Sequence, residues 1–297
     1  MQQSVRNRFL LVFILAFPFI VLFGCFIFVT DDLPAWPPLP AHNGYANLIK
    51  AGKMVSGDIF DYEKMDQRQL AQLVSQNSAA LSLARAALGN ECAVPVQFCT
   101  NYIEAHLDQL SDLKKLARAF IAEGKLAEMN NHPDDAAHSY LETIRLANAS
   151  ARGGVLIDQL VGTAIEAMGA GQLQGIIPQL NAASCRKAAS ELETLDAQRQ
   201  TFAQVMQQEQ GWSYRTFPGL RHDLERIFTR RNTAAAIQAT ERKFNAQVLK
   251  TRQAMIDLAA RAYELDKRKP PASATDLVPG YLKAVPVNPV TGVDLSV

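Results

Sequence analysis

Two histidines and two aspartates lie close together in the segment His132-Pro-Asp-Asp-Ala-Ala-His138. Imidazole nitrogens and carboxylate oxygens bind zinc and other divalent metals, so this spacing admits a metal site. The same pattern is typical of a helix start, because acidic side chains in the first turn interact favourably with the helix dipole. We favour the helix start, and we predict neither a metal site nor a cofactor in this chain.

A second candidate site is a pair of cysteines, Cys92 and Cys99, which bracket the segment AVPVQF. This segment is expected to lie extended between two helices. An oxidising compartment would allow a disulfide between the two thiols, and closing so short a loop would stabilise the fold by about 2.5 kcal/mol. Two buried thiols are the alternative. Cys185 has no evident partner and is expected to pack as an apolar residue.

A third candidate is a basic interaction face formed by Arg221, Arg226, Arg230 and Arg231. Basic residues outnumber acidic ones between residues 215 and 252, and such a face could bind anionic lipid headgroups or an acidic partner. A solvated helix face with local ion pairs is the alternative. The whole chain has 30 basic and 29 acidic residues, and this balance argues against nucleic acid as a partner.

Sequence motifs of enzymes are absent from the chain. It contains no GxSxG, HExxH or P-loop pattern, and no two carboxylates are singled out by their spacing. The sequence therefore favours a non-enzymatic protein. A hydrolase whose site carries no known motif is the alternative.

The element that positions the rest of the chain is an apolar segment near the N-terminus. Residues 9–29 are uncharged, and a helix of this length spans about 30 Å, the thickness of a hydrocarbon core. Residues 1–8 carry two arginines and no acid, so the positive-inside rule places them in the cytoplasm and the body across the membrane. Residues 30–42 are rich in proline and predict a semi-rigid extended linker. The alternatives are a cleaved signal peptide and lipidation of Cys25, because Leu22-Phe-Gly-Cys25 resembles a bacterial lipobox.

Residues 43–265 predict a helical domain of about seven to nine helices. They are rich in Ala, Leu, Gln, Glu and Arg, which are strong helix formers. Apolar residues recur at three- and four-residue steps, and each such stripe must pack against another element. One stripe starts at Ile103 and Leu107 and runs to Phe120, and another starts at Leu156 and Leu160 and runs to Met168. The expected fold class is all-α, built from antiparallel helix hairpins.

One helix pair, residues 120–147, resembles a tetratricopeptide repeat. Gly124 occupies the small position of the first helix, a turn follows at residues 130–134, and Ala136 and Tyr140 lie in the second helix. Asp134 or Asp135 is expected to cap the second helix. The resemblance covers a single repeat, and it implies a helix hairpin of a kind that binds peptides or proteins.

Residues 266–297 form a proline-rich tail. With the end of the preceding helix, it resembles the tail of type II secretion pseudopilins and of other bacterial envelope proteins. The matching elements are a Tyr-x-x-Asp helix end (263–266), a Leu-Val-Pro-x-Tyr-Leu turn (277–282) and a Pro-x-Asn-Pro-x-x-Gly loop (286–292). Prolines stop helices and fix turns. We therefore expect Leu277, Tyr281 and Leu282 to form an apolar latch that packs back on the body.

Together these patterns and resemblances predict a single-pass protein of the bacterial inner membrane, with its N-terminus in the cytoplasm and its body in the periplasm. Its expected partners are the lipid bilayer, through residues 9–29, and unidentified envelope proteins. The combination of anchor, linker and helix hairpins favours protein–protein interaction as its role. The resemblance of the tail also admits an accessory component of a secretion or pilus-like system.

Overall fold

A computed structural model describes the backbone of residues 35–218 and 220–297, and the side chains of residues 35–218 and 234–297. The predicted tail 1–8, the predicted span 9–29 and Cys25 lie outside the described residues. The side chains of the predicted basic face lie outside them as well. None of the described helices has the length and apolar character that crossing a bilayer requires. The membrane span and the alternatives to it therefore stay predictions.

The described residues fold into nine α-helices, and their only β-structure is one isolated bridge between Val287 and Asp294. This confirms the all-α fold class and agrees with the predicted number of helices. Short 3-10 turns follow α1 and α6 and precede the tail loop. The helices are α1 (Tyr45–Met54), α2 (Gln67–Gln76), α3 (Ser78–Leu88), α4 (Tyr102–Met129), α5 (Pro133–Ala151), α6 (Leu156–Ile176), α7 (Ala182–Ala197), α8 (Phe202–Thr216) and α9 (Leu220–Lys267).

Local sequence signals fix where several helices begin. α2 starts with a capping box between Asp66 and Gln69, and α8 starts with one between Thr201 and Gln204. In this arrangement the two side chains satisfy backbone N–H groups that the first turn leaves unpaired. These two starts are therefore encoded within four residues of sequence.

The start of α5 corrects one prediction. The helix begins at Pro133, with His132 as the N-cap residue, so Asp134 and Asp135 lie in its first turn and do not cap it. Proline suits the first helical position because its φ is already helical and it has no N–H to leave unpaired. The two acids still face the positive end of the helix dipole.

The hairpin of α4 and α5 lies at the centre of the core. The ring of Tyr140 is fully buried against Gly124, where an added Cβ would lie 2.4 Å from its Cε1 atom. The Tyr140 hydroxyl donates a hydrogen bond to Glu128, one turn further along α4. α6 then packs along α5 through Gly162 and Gly169, at which a Cβ would lie 2.8 Å from atoms of α5. The three consecutive helices are thus closely packed.

The predicted apolar stripe of α4 is confirmed from Leu110 to Phe120, which are buried, but both stripes are wrong within the first two turns of their helices. Leu107 is 48% exposed and Leu160 is 40% exposed. Their neighbours His106 and Asp158 are buried instead and form a contact of 2.6 Å between imidazole and carboxylate. Because a buried charge requires a partner, this polar pair, and not the leucines, faces the interior at that level.

The second half of α9 and the tail close the core. Met255 and Leu258 of α9 are buried in the same cluster as the interior residues of α7. The tail turns back so that Leu277 and Leu282 are also buried there. The ring of Tyr281 packs on Tyr263, and its hydroxyl donates a hydrogen bond of 3.0 Å to Asp266. The apolar latch expected from the tail sequence is therefore present. Pro38–Val297 form one compact unit.

Candidate functional site

An open groove lies between α5, α7 and the turn that follows α3. Its volume is about 540 Å³, within the range of ligand-binding clefts. The first wall carries Arg145 and Asn148 of α5 and Arg152, which follows the last residue of α5, and the wall on α7 carries Lys187 and Glu191. The groove is therefore lined by charged and amide side chains, which suits a polar ligand more than an apolar one.

A buried ion-pair network lies next to the groove. Arg199 donates two hydrogen bonds of 2.6 Å to the two carboxylate oxygens of Glu166. Asp196 joins Arg199 to Arg252 through contacts of 3.1 and 2.9 Å, and Thr251 donates to Glu166 at 2.5 Å. Bidentate pairs of this kind hold both partners in one geometry. The network ties α6, α7 and α9 together directly beneath the groove.

A small polar cavity separates this network from the groove. Its volume is about 20 Å³, and Gln159, Glu166 and Arg199 are among its lining residues. Asn148 and Arg152 line both this cavity and the groove. A polar space of this size holds about one water molecule. The space next to the network therefore has room for about one water molecule and not for a larger ligand.

The charges on the two walls are compensated unequally. Arg145 contacts Glu142 at 3.2 Å and Glu191 at 2.7 Å, so its charge is balanced. Burial raises the pKa of Glu191, and the neighbouring guanidinium of Arg145 opposes that rise. Lys187, by contrast, is exposed and has no ion pair within the part of the chain that the structure describes.

Arg152 and Asn148 add donors and acceptors next to Lys187. The guanidinium of Arg152 is 3.7 Å from the exposed carboxylate of Glu91, a loose pair that water screens. The Nδ2 atom of Asn148 donates to the backbone oxygen of Leu195 at 3.1 Å. Since an amide has a second N–H and an oxygen, Asn148 keeps one donor and one acceptor, the pair that a peptide bond matches.

A second polar cluster is buried at one end of the bundle and does not line the groove. The two ring nitrogens of His106 contact Asp158 at 2.6 Å and Gln109 at 3.1 Å, and the ring stacks on Tyr102 at 4.9 Å. Burial raises the pKa of the Tyr102 hydroxyl. Both imidazole nitrogens are therefore engaged within the protein. The cluster positions α4 against α6.

The structure places the residues predicted from sequence in separate regions. Cys92 is buried beside the groove and Cys99 is half-buried, and both are free thiols. Burial raises the pKa of the Cys92 thiol to about 11. A Cys92–Cys99 bridge stays a prediction for an oxidising compartment. The side chains of Arg221, Arg226, Arg230 and Arg231 lie outside the described residues.

The two histidines of the candidate metal site are exposed and make separate contacts. His132 lies 3.7 Å from Asp135, and His138 lies 3.7 Å from Glu142. Among the residues with described side chains, no three His, Cys, Asp or Glu side chains converge as metal ligands would. The segment is the helix start that its sequence favours.

The groove residues were missed by sequence reasoning because α5 and α7 supply them from segments about 40 residues apart. One signal was available within α5. Arg145 and Asn148 are three residues apart on one face of the helix, and Arg152 follows four residues later, immediately after the helix ends. Most of the remaining α5 residues are buried. A polar stripe on an otherwise buried helix marks the face that remains open to a ligand.

Comparison of the chain with models of protein families, with curated proteins and with solved structures gives no match. The function proposed for this chain therefore rests on its own residues.

Proposed function

We propose that this protein is a single-pass, non-enzymatic protein of the bacterial inner membrane that binds a partner protein in the groove between α5 and α7. The observation that carries the proposal is the groove itself, with a volume of about 540 Å³ and a lining of charged and amide side chains. The apolar segment 9–29 would hold the chain in the membrane. The body would then present the groove in the periplasm.

The chemistry of the groove supports a peptide segment as the ligand. Asn148 retains one donor and one acceptor, which suit the N–H and C=O of an extended backbone. Lys187 and Arg152 supply positive charge that no close ion pair of the described chain neutralises. An acidic residue next to the bound backbone would complement both cations. An extended partner segment that carries a carboxylate would therefore pair with Asn148 through its backbone and with Lys187 and Arg152 through its charge.

Site-specific photocrosslinking in native envelopes tests this proposal. A crosslinking residue at Thr194, which is exposed and lines the groove, should capture a discrete partner. The same residue at Ala164, which is exposed on α6 and does not line the groove, serves as the matched control. Lys187→Glu should reduce capture at Thr194 by roughly tenfold, because it places a like charge against the ligand. Equal capture at both positions, or none at Thr194, would count against the groove.

The identity of the captured partner separates this proposal from its variants. The resemblance of the tail to that of pseudopilins makes an accessory role in a secretion system the second candidate. Capture of an assembly-platform protein would favour that role. Alkaline carbonate extraction tests the anchor independently, because a spanning segment stays in the membrane pellet whereas a peripheral protein is released.

A further inference from the structure

Arg145 lies between two carboxylates on the wall of the groove between α5 and α7. Its Nε atom contacts Glu191 of α7 at 2.7 Å, and its Nη1 atom contacts Glu142 of α5 at 3.2 Å. Two acids therefore share one guanidinium, and the cluster holds two negative charges against one positive charge. Carboxylates placed together in this way favour the uptake of a proton by one of them.

The two acids differ in their access to solvent. The side chain of Glu142 is 5% exposed, and its Oε2 atom is buried without a hydrogen-bond partner in the part of the chain that the structure describes. The side chain of Glu191 is 12% exposed and lines the groove. Glu191 is therefore the carboxylate of the pair that a proton from the groove can reach.

The charged groups that act on Glu191 lie on both helices. Arg145, Glu142 and the exposed His138 act on it from α5, and Lys187 precedes it by one turn on α7. Burial raises the pKa of Glu191. The guanidinium of Arg145 opposes this rise, and the carboxylate of Glu142 adds to it. Glu191 thus takes up a proton at a higher pH than an ordinary glutamate does.

Protonation of Glu191 changes the charge of the groove. Three basic and two acidic side chains line it, namely Arg145, Arg152, Lys187, Glu91 and Glu191. With all of them ionised the lining has one net positive charge, and Glu191 occupies Arg145. With Glu191 neutral the lining has two net positive charges. Arg145 can then pair with a carboxylate of a ligand, because its competitor on α7 has lost its charge.

We propose that the groove binds an acidic peptide segment together with a proton, which Glu191 takes up, so that binding strengthens as the pH falls below neutrality. The inference rests on the peptide-binding function proposed above and adds a regulating residue to it. In the bound state a carboxylate of the ligand replaces Glu191 beside Arg145. The strengthening should end near about pH 4, where the carboxylates of the ligand are protonated as well.

Binding of a fluorescent hexaglutamate peptide at two pH values tests this proposal. The probe supplies a peptide backbone and carboxylates that are mostly ionised at about pH 7.5 and at about pH 5.5. Fluorescence anisotropy measures its affinity for the full chain in a non-ionic detergent at constant ionic strength. We expect about fivefold tighter binding at the lower pH, since one linked proton changes an affinity by at most about tenfold per pH unit. Equal affinities, or no binding at either pH, would overturn the proposal.

Three variants assign the proton to one residue. Glu191→Gln, which has the shape of a protonated glutamate, should bind the probe equally well at both pH values and as tightly as the unsubstituted protein does at the lower one. Glu91→Gln removes the same charge from another part of the lining and should leave the ratio of the two affinities unchanged. Histidines as a class gain charge in this pH range, so His138→Gln is the second control and should also retain the ratio. Loss of the pH dependence in His138→Gln would overturn the assignment to Glu191.

Two further measurements keep the test decisive. Lys187→Glu should weaken binding of the probe about tenfold, and unchanged binding would place hexaglutamate outside the groove and overturn the proposal. Isothermal titration calorimetry of the unsubstituted protein, in two buffers that differ in ionisation enthalpy, counts the protons taken up with the probe. We expect a clear uptake of up to one proton per peptide near about pH 6. No uptake would overturn the proposal even if Glu191→Gln did not fold.

The outcome is distinguishable from failure of the proposed function. Equal photocrosslinking of a partner at Thr194 at both pH values would leave the groove as the binding site and would refute the link to a proton. If no partner were captured at Thr194 but hexaglutamate still bound with uptake of a proton, partner binding in the envelope would be refuted, and the role of Glu191 would stand.

Discussion

The close packing of α5 and α6 can be tested with two glycines of the same helix. A Cβ added at Gly169 would lie 2.8 Å from the backbone oxygen of Tyr140 and 2.9 Å from Cγ1 of Ile144. A Cβ added at Gly171, two residues further along α6, would have no heavy atom within 4 Å. Substitution of each by alanine changes the same atoms in the same helix, so the comparison isolates the contact with α5.

The expected sizes follow from two opposing effects. Replacing glycine by alanine inside a helix gains up to about 1 kcal/mol, because alanine loses less backbone entropy on folding. Gly171→Ala should show this gain alone. Overpacking a close contact costs about 1–3 kcal/mol, and the carbonyl that faces Gly169 belongs to a helix backbone that cannot rotate away. Gly169→Ala should therefore be net destabilising. Because the entropy gain is common to both variants, they should differ by the overpacking cost, about 1–3 kcal/mol.

Urea unfolding of the Pro38–Val297 unit, followed by circular dichroism, measures this difference. In thermal unfolding, each kcal/mol corresponds to about 2–4 °C for a chain of this size. Gly169→Ala should melt several degrees below the unsubstituted protein, and Gly171→Ala slightly above it. If the two variants unfolded at the same urea concentration, α5 and α6 would not approach each other as closely as the structure describes.

Three further predictions concern buried polar groups. Arg199→Met should destabilise the fold by about 3–5 kcal/mol, because Glu166 would keep an unpaired buried charge, and adding Glu166→Gln should recover part of the loss in the same urea assay. Burial raises the pKa of Glu209 above its value in the unfolded chain, so the ionised carboxylate lowers the stability of the folded protein at neutral pH. The Glu209→Gln variant should therefore be more stable than the unsubstituted protein at pH 7. This advantage should vanish below about pH 4, where the carboxyl group is protonated in both the folded and the unfolded state. In the folded, reduced protein Cys99 should react with a maleimide much faster than Cys92, and equal rates measured by mass spectrometry would contradict the burial of Cys92.

The elements of the fold were predictable where the signal is local. The composition of residues 43–265 predicted helices, and the tail sequence predicted the latch in which Leu277 and Leu282 are buried. The capping box at Thr201 and the proline at Pro133 show that helix starts depend on a few adjacent residues. Such signals act within one turn and do not require knowledge of the partner element.

The site was not predictable because it depends on which helices become neighbours. Lys187 and Arg145 belong to helices that the sequence does not pair. The errors in the predicted apolar stripes of α4 and α6 have the same cause, because they too depend on which helices become neighbours. Leucines at positions 107 and 160 satisfy helical spacing, but the pairing of His106 with Asp158 sets which side of each helix faces inward. Only the fold brings these two residues together.

The ion-pair network beneath the groove also bears on how the chain assembles during synthesis. Glu166 meets its first partner, Arg199, 33 residues later, but it meets Thr251 only 85 residues later. The hairpins of α4, α5 and α6 consist of local contacts and can form early, whereas the contacts of α9 close late. Arg252, next to Thr251, then donates to the backbone oxygen of Val287 in the tail. A ribosome that stops before residue 251 would therefore leave a helical core that still lacks the second half of α9 and the tail, with a buried carboxylate that lacks one of its hydrogen-bond donors.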